Sequence, residues 1–186
     1  MSLLNVQNFL ARIYTDETLR RQFTFAPERI GKENNLSANE IAELAAILPV
    51  EINFFADSLR WKRLREVEKL LPLTRQVLKE RFEILFSEFT NQFLPESTKK
   101  HLEDAIEFTR FLQSKEVSPV WAKDLAKFER AKLEFNAHGK NFIFKTFDYD
   151  VKEMLYQGIK AQSEIKRKRT FSVWLKIGKR TRHFVW

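Results

Sequence analysis

The spacing of apolar residues along this chain changes at Gly139. Before Gly139, apolar residues recur at the three- and four-residue intervals of one helical face, as in the first segment at Leu3, Val6, Leu10 and Ile13. After it, Phe142 and Phe144 alternate with Ile143 and Lys145, which is the period of a strand. The order of the two patterns predicts an α+β fold, mostly helical with a small C-terminal antiparallel sheet.

Capping residues and prolines divide the helical part into about seven helices. Ser37 and Glu40 have the spacing of a capping box, in which the two side chains satisfy exposed N–H groups at a helix start. Thr74 is predicted to cap a helix over residues 74–93, and Ser118 with Pro119 is predicted to begin the last long helix.

The last part of the chain predicts a β-hairpin. Two aromatic and β-branched runs, 170–177 and 180–186, flank Gly178-Lys179, and glycine tolerates the positive φ that a tight turn needs. We expect the aromatic side chains of the hairpin to form its core, with Trp186 the one that could be exposed: Phe171, Trp174, Phe184 and Trp186.

Three parts of the chain follow from these patterns. Residues 1–72 are predicted to form an N-terminal helical part and residues 73–139 a helical core. Residues 140–186 are predicted to form a basic β element that packs on this core.

Positive charge is concentrated in the same C-terminal part. Residues 140–186 hold 12 Lys and Arg against 4 Asp and Glu, whereas residues 1–139 hold 21 of each. A concentrated positive field attracts nucleic acid, an anionic membrane surface or an acidic protein partner, and charge alone does not choose among them. A solvated basic loop at 166–169 is the alternative without a binding role. The candidate binding residues are Lys166, Arg167, Lys168, Arg169, Lys176, Arg180 and Arg182.

Residues that carry catalysis or hold cofactors are scarce. The chain has no cysteine, its three histidines lie far apart, and its four glycines do not form a nucleotide-binding loop. Asp104, Asp124 and Glu129 lie three or four residues from a lysine, a spacing typical of ion pairs on solvated helix faces. We therefore expect no metal, no cofactor, no small-molecule substrate and no enzymatic activity. Catalysis by converging carboxylates with His101 is the weaker alternative.

No apolar run approaches the roughly 20 residues that span a bilayer. The first residues include Asn5, Gln7 and Asn8, where a signal peptide would need an unbroken apolar stretch. We therefore predict a cytoplasmic protein with no membrane partner.

Four segments resemble motifs of a bacterial helper family. One family helix carries "DLA", then Glu, then Ala, and it is similar to residues 124–135, DLAKFERAKLEF. The family helix before it is similar to residues 101–112, HLEDAIEFTRFL. Residues 147–151 resemble its "YDV" segment. Residues 172–175 resemble its "VW plus arginine" segment, although Leu175 stands in the place of the arginine, with Lys176 next to it. The matching positions include Asp104, Phe108, Asp124, Glu129 and Trp174.

Members of this family are encoded beside multinuclear non-haem iron enzymes that modify ribosomally made peptides, and were long filed as DNA-binding proteins. The resemblance covers roughly residues 60–186. It implies a non-catalytic adaptor that binds a protein or a precursor peptide and has no cofactor of its own, with structural roles for the five motif residues. The alternative function is nucleic-acid binding by the basic C-terminal segment.

Overall fold

The computed structural model of the protein describes residues 3–47, 49–96, 98–137, 139–160, 165–178 and 180–186. These residues form ten α-helices and a three-stranded antiparallel sheet near the C-terminus, which confirms the predicted α+β class. None of the helices in these ranges combines the length and apolar character needed to cross a membrane. The elements are α1 (Leu3–Thr15), α2 (Glu17–Phe25), α3 (Pro27–Glu33), α4 (Ala38–Ala46), α5 (Pro49–Leu70), α6 (Pro72–Leu78), α7 (Glu80–Thr90), α8 (Lys100–Ser114), α9 (Ala122–Ala137), β1 (Phe142–Tyr149), α10 (Val151–Lys160), β2 (Arg167–Ile177) and β3 (Arg180–Val185).

The chain divides into two compact units. The first comprises residues 1–62 with 90–94, and the second comprises residues 63–89 with 95–186. The first unit is helical, and its apolar core contains Phe9, Ile13, Leu19, Phe23, Ile30, Leu36, Ile41, Leu44 and Ile52. The basic segment 140–186 belongs to the second unit, and the finer division at residues 72 and 139 stays a prediction.

The predicted capping box at the start of α4 is confirmed. The Ser37 backbone N–H donates to Glu40 Oε2 at 2.7 Å, and the Glu40 backbone N–H donates to Ser37 Oγ at 3.3 Å. The hydrogen bond from the Ser37 backbone holds the pKa of the Glu40 carboxyl below its ordinary value. These two bonds satisfy N–H groups that a helix start otherwise leaves free.

Two predicted helix starts are wrong. Thr74 does not cap a helix, because α6 already begins at Pro72 and the expected continuous helix is broken at Lys79, where φ is 51°. Pro119 is not the first residue of α9 either. The Ala122 N–H donates to the Pro119 carbonyl at 3.0 Å, which closes a tight turn ahead of the helix and moves its start to Ala122.

The core of the second unit contains one face of the sheet together with α9 and α10. β1 pairs antiparallel with β2, and β2 pairs antiparallel with β3. Because side chains alternate along a strand, one face of the sheet packs towards α9 and the other faces away from it. The buried residues of this core are Trp121, Leu125, Phe128, Ala131, Phe135, Ile143, Phe147, Val151, Met154, Ile165 and Trp174.

Candidate binding surface on the C-terminal sheet

Strand register decides which backbone groups of the sheet are left for a partner. Phe171 and Trp186 exchange two backbone hydrogen bonds, of 2.8 and 3.1 Å, so that every second residue pair along β2 and β3 is hydrogen-bonded. The N–H and C=O groups of Thr181, His183 and Val185 therefore point away from β2. Among the described residues, none pairs with these backbone groups. We call this row of backbone groups the β3 edge.

The opposite edge of the sheet is partly covered by side chains of α9. Lys127 Nζ donates to the Thr146 carbonyl at 2.5 Å. Asp124 accepts the backbone N–H groups of Asp148 at 2.6 Å and Tyr149 at 3.2 Å. Burial raises the pKa of the Asp124 carboxyl, whereas the hydrogen bond from the Asp148 backbone lowers it. The later part of β1 is thus shielded from strand pairing, and the β3 edge is the more open of the two.

The predicted binding cations lie towards the two ends of β2. Lys166–Arg169 are exposed at its start, and Arg167 to Arg169 belong to the strand rather than to a loop. Lys176 lies near the end of β2. Arg180 and Arg182 lie on β3 beside that end, where they pair with Ile177 and Leu175. The eight residue-to-residue steps from Arg169 to Ile177 span about 27 Å at strand geometry. The seven cations therefore do not form one cluster.

One of these cations already has an acidic partner. Lys168 Nζ lies 2.7 Å from Asp150 Oδ2. The hydrogen bond lowers the pKa of the Asp150 carboxyl and raises the pKa of the Lys168 ammonium group, because each group favours the charged form of the other. Lys168 is thus engaged within the fold, whereas no ion pair of Arg180 or Arg182 occurs within the described ranges.

The solvent side of the sheet carries exposed aromatic rings. Phe142, Phe144, Phe184 and Trp186 are 58, 46, 47 and 63% exposed. The expectation that the hairpin aromatics form a core is right for Trp174, which is 4% exposed, and wrong for Phe184. Helix α9 packs on one face of the sheet, and strand alternation places Phe184 on the other. We call this other face the outer sheet face; it comprises Phe142, Phe144, Phe171, Val173, Leu175, Ile177, Arg180, Arg182, Phe184 and Trp186.

Asp104, the first of the five motif residues, forms a buried ion pair. Its side chain is fully buried, and Arg63 Nε and Nη2 donate to its two carboxylate oxygens at 3.0 and 2.7 Å. The expected pairing of Asp104 with Lys100 on a solvated helix face is therefore wrong, because Asp104 is directed into the protein. Sequence reasoning missed Arg63, which lies 41 positions away on α5 and carries no local signal.

Phe108 lies at the centre of an aromatic cluster formed by α7 and α8. It is fully buried, and its ring centroid lies 5.0 Å from that of Phe82 and 5.2 Å from that of Phe86, in edge-to-face contacts. Such contacts add to the free energy gained from burying the rings. The position of Phe108 is that of a packing residue.

Glu129 lies on α9 and accepts hydrogen bonds from backbone N–H groups at the start of α6. Its carboxylate accepts the backbone N–H groups of Leu73 and Thr74, both at 2.9 Å, and the Thr74 hydroxyl at 2.6 Å. It is 5% exposed, so the expected solvated pair with Lys132 is wrong. Burial raises the pKa of the Glu129 carboxyl, and the hydrogen bonds from Thr74 and Leu73 oppose that shift. Thr74 is the partner that sequence reasoning placed incorrectly as a helix cap.

Trp174 links the sheet to α9. Its ring centroid lies 5.4 Å from that of Phe128, and the His183 ring stacks on it at 4.4 Å with an angle of 15° between the planes. Burial lowers the pKa of the His183 imidazole, and the nearby charge of Lys132 lowers it further. The motif residues other than Asp124 thus lie in the core, and Asp124 shields β1.

A separate cavity of about 550 Å³ lies beside α8. It is lined by three carboxylates and three cations, together with Thr98, Leu102 and Ile106. Arg110 contacts two of the carboxylates, those of Glu107 and Glu134. His101 is not among the lining residues. Within the part of the chain that the structure describes, no group of three or more His, Asp or Glu side chains could hold a metal ion.

No family model matches the chain, and no curated protein matches it. The resemblance to the helper family therefore stays a prediction based on residues 101–112, 124–135, 147–151 and 172–175.

Proposed function

We propose that this protein is a non-catalytic adaptor that binds a peptide by strand addition at the β3 edge, and that it is a partner of a peptide-modifying enzyme. The observation that carries the proposal is the row of outward backbone groups at Thr181, His183 and Val185 without partners among the described residues. An exposed edge of this kind extends a bound peptide by main-chain hydrogen bonds. The link to a modifying enzyme rests on the resemblance.

The length of the edge sets the length of the peptide segment. Three outward residues offer three N–H donors and three C=O acceptors. An extended partner pairs with them over about five residues, because only every second residue of the added strand faces β3. Such a segment is the size of a recognition motif in a longer precursor.

The charge next to the edge favours an acidic segment. Arg180 and Arg182 are exposed on β3 itself, and residues 165–186 contain no Asp or Glu. A side chain of the added strand lies beside its neighbour on β3, and opposite charges at such cross-strand positions are favourable. Aspartate or glutamate next to the two arginines would therefore set register and partner choice.

Calorimetric titration with the peptide encoded next to this gene tests the proposal. We expect saturable heat, together with slower hydrogen exchange at the outward N–H groups of Thr181, His183 and Val185. An intact protein that gives no heat at high micromolar peptide concentration contradicts the proposal.

One substitution separates strand addition from other modes of binding. Thr181→Pro removes an outward N–H group without removing a bond of the β2–β3 ladder, and proline is tolerated at such edge positions. We expect it to lower peptide affinity about fivefold or more, because one hydrogen bond and close approach are both lost. Thr181→Ala is the matched control, and equal affinities of the two variants would exclude the β3 edge.

A further inference from the structure

On the outer sheet face, aromatic and basic side chains occupy neighbouring rows. One row across the sheet contains Phe144, Val173 and Phe184, and the next contains Phe171 and Trp186. Along β3 the outer side chains follow in the order Arg180, Arg182, Phe184 and Trp186, so that two cations precede two rings.

The dimensions of the array follow from strand geometry. Side chains of the same face recur about every 6.8 Å along a strand, and neighbouring strands lie about 4.8 Å apart. Phe144 and Phe171 already stack on each other, with ring centroids 5.9 Å apart and 21° between their planes. Phe184 and Trp186, at 47 and 63% exposed, present rings to solvent on the neighbouring strand.

The charged residues of the outer sheet face, as defined above, are Arg180 and Arg182. Residues 142–146, 170–177 and 180–186 include no Asp or Glu. Neither Arg180 nor Arg182 has an ion-pair partner within the described ranges. A ligand that covers the rings therefore meets cations and no acidic group on these stretches.

We infer that the outer sheet face binds single-stranded nucleic acid, with bases stacked on Phe184 and Trp186 and phosphates bound by Arg180 and Arg182. Each nucleotide joins a flat base to a negatively charged phosphate. The exposed rings complement the base, and the two arginines complement the phosphate. Sheet-face aromatic residues hold two or three unpaired bases in this way in other single-strand-binding folds. An acidic peptide lacks the flat rings, and a duplex keeps its base faces stacked inside. The inference goes beyond the peptide site, which uses the backbone edge of β3; the two sites share Arg180 and Arg182, and only the nucleic-acid site uses the exposed rings.

Fluorescence anisotropy with a labelled single strand of about 12 nucleotides at about 50 mM salt tests the inference. We expect saturable binding that is tighter than for the duplex of the same sequence. The double variant Phe184→Ala/Trp186→Ala should weaken binding about 30-fold or more, because each stacked base is lost. It should leave the salt dependence of binding unchanged, because the arginine contacts remain.

The double variant Arg180→Gln/Arg182→Gln tests the phosphate contacts through the salt dependence of binding. Loss of two phosphate contacts should lower the slope of log K against log salt by about 1.4, the value for two neutralised phosphates of a single strand. Matched controls in the first unit are Phe25→Ala/Phe54→Ala, at residues 93 and 75% exposed, and Arg21→Gln/Arg29→Gln. We expect each control to bind within about twofold of the parent protein.

Three outcomes overturn the inference. The first is the absence of binding to both the DNA and the RNA single strand, which are tested in parallel to identify the preferred sugar. The second is an unchanged affinity of the folded Phe184→Ala/Trp186→Ala protein, since binding would then be electrostatic alone. The third is a Phe184→Ala/Trp186→Ala protein that still binds the single strand but no longer binds the peptide or anionic phospholipid vesicles. Thr181→Pro leaves the rings and arginines in place, so failure of the peptide site and failure of this face are distinguishable.

Discussion

The Glu129 carboxylate accepts both the hydroxyl and the backbone N–H of Thr74, at 2.6 and 2.9 Å, from a helix 55 positions further along the chain. Leu73 donates a third hydrogen bond to the same carboxylate. The first N–H groups of α6 are thereby satisfied by α9, in place of a local capping side chain. The contact joins two helices of the second unit and fixes their alignment.

Glu129→Gln is expected to lower the free energy of unfolding by about 1–3 kcal/mol, because the amide nitrogen cannot accept a hydrogen bond and at least one buried donor is left unsatisfied. Urea unfolding at pH 7 followed by circular dichroism measures the change. Thr74→Ala is the partner variant, and the double variant should cost less than the sum of the two single changes. Strictly additive losses would show that the two side chains do not interact.

Arg63→Met leaves the fully buried Asp104 carboxylate without its bidentate partner. We expect a loss of about 3–5 kcal/mol, as is typical when one member of a buried ion pair is removed. Thermal and urea unfolding measure it, with Arg60→Met on the same helix as a control, because Arg60 pairs with the half-exposed Asp57.

The double variant Arg63→Met/Asp104→Leu distinguishes pairing from packing. Replacing both charges removes the unpaired carboxylate, so it should recover much of the stability that Arg63→Met loses. A double variant as unstable as the single one would contradict a dominant electrostatic cost.

Features encoded within a few residues were predictable from this sequence. The change of period at Gly139 indicated the fold class, and the spacing of Ser37 and Glu40 indicated a capping box that is present. Gly178, with φ of 61°, lies between β2 and β3 where the hairpin was expected; Lys179 lies outside the described residues. Each of these signals depends on backbone preferences that neighbouring residues determine.

Features that depend on distant neighbours were not predictable. Asp104 and Glu129 have lysines at helical spacing, and this local pattern is the same whether the acid faces solvent or a buried partner. Their actual partners, Arg63 and Thr74, lie 41 and 55 positions away. The hairpin aromatics were expected to share one core, although strand alternation places Phe171 and Trp174 on opposite faces. Phe184 pairs with Val173, on the face away from Trp174, and was placed in the core incorrectly.

Asp124→Ala with Lys127→Ala is expected to open the edge of β1. The backbone N–H groups of Asp148 and Tyr149 lose their acceptor, and the Thr146 carbonyl loses its donor. Hydrogen exchange of Asp148 and Tyr149 should accelerate, while exchange at the buried Ile143 stays slow. Sedimentation should also detect self-association at high concentration, because an unshielded edge strand is a template for pairing.

Unchanged hydrogen exchange at both Asp148 and Tyr149 would mean that α9 does not shield the edge of β1. The control is Lys123→Ala, whose side chain instead contacts the Gln113 carbonyl.

His183→Phe is expected to remove a pH dependence of stability. Partial burial on Trp174 holds the pKa of His183 below its ordinary value of 6.5, so the unfolded chain binds the proton more readily than the folded protein. The contribution of His183 to stability is therefore fully present above pH 6.5 and is lost as the pH falls below that value towards the pKa of the folded state.

Glu129, whose pKa is raised by burial, contributes to the pH dependence of stability with the opposite sign. Comparison of the parent protein with the His183→Phe variant cancels this contribution, because both contain Glu129. An NMR titration of the His183 ring measures the pKa directly, and urea unfolding on both sides of pH 6.5 measures the linkage. Phenylalanine preserves a ring against Trp174, so a stability difference between parent and variant that does not change with pH would contradict the assignment.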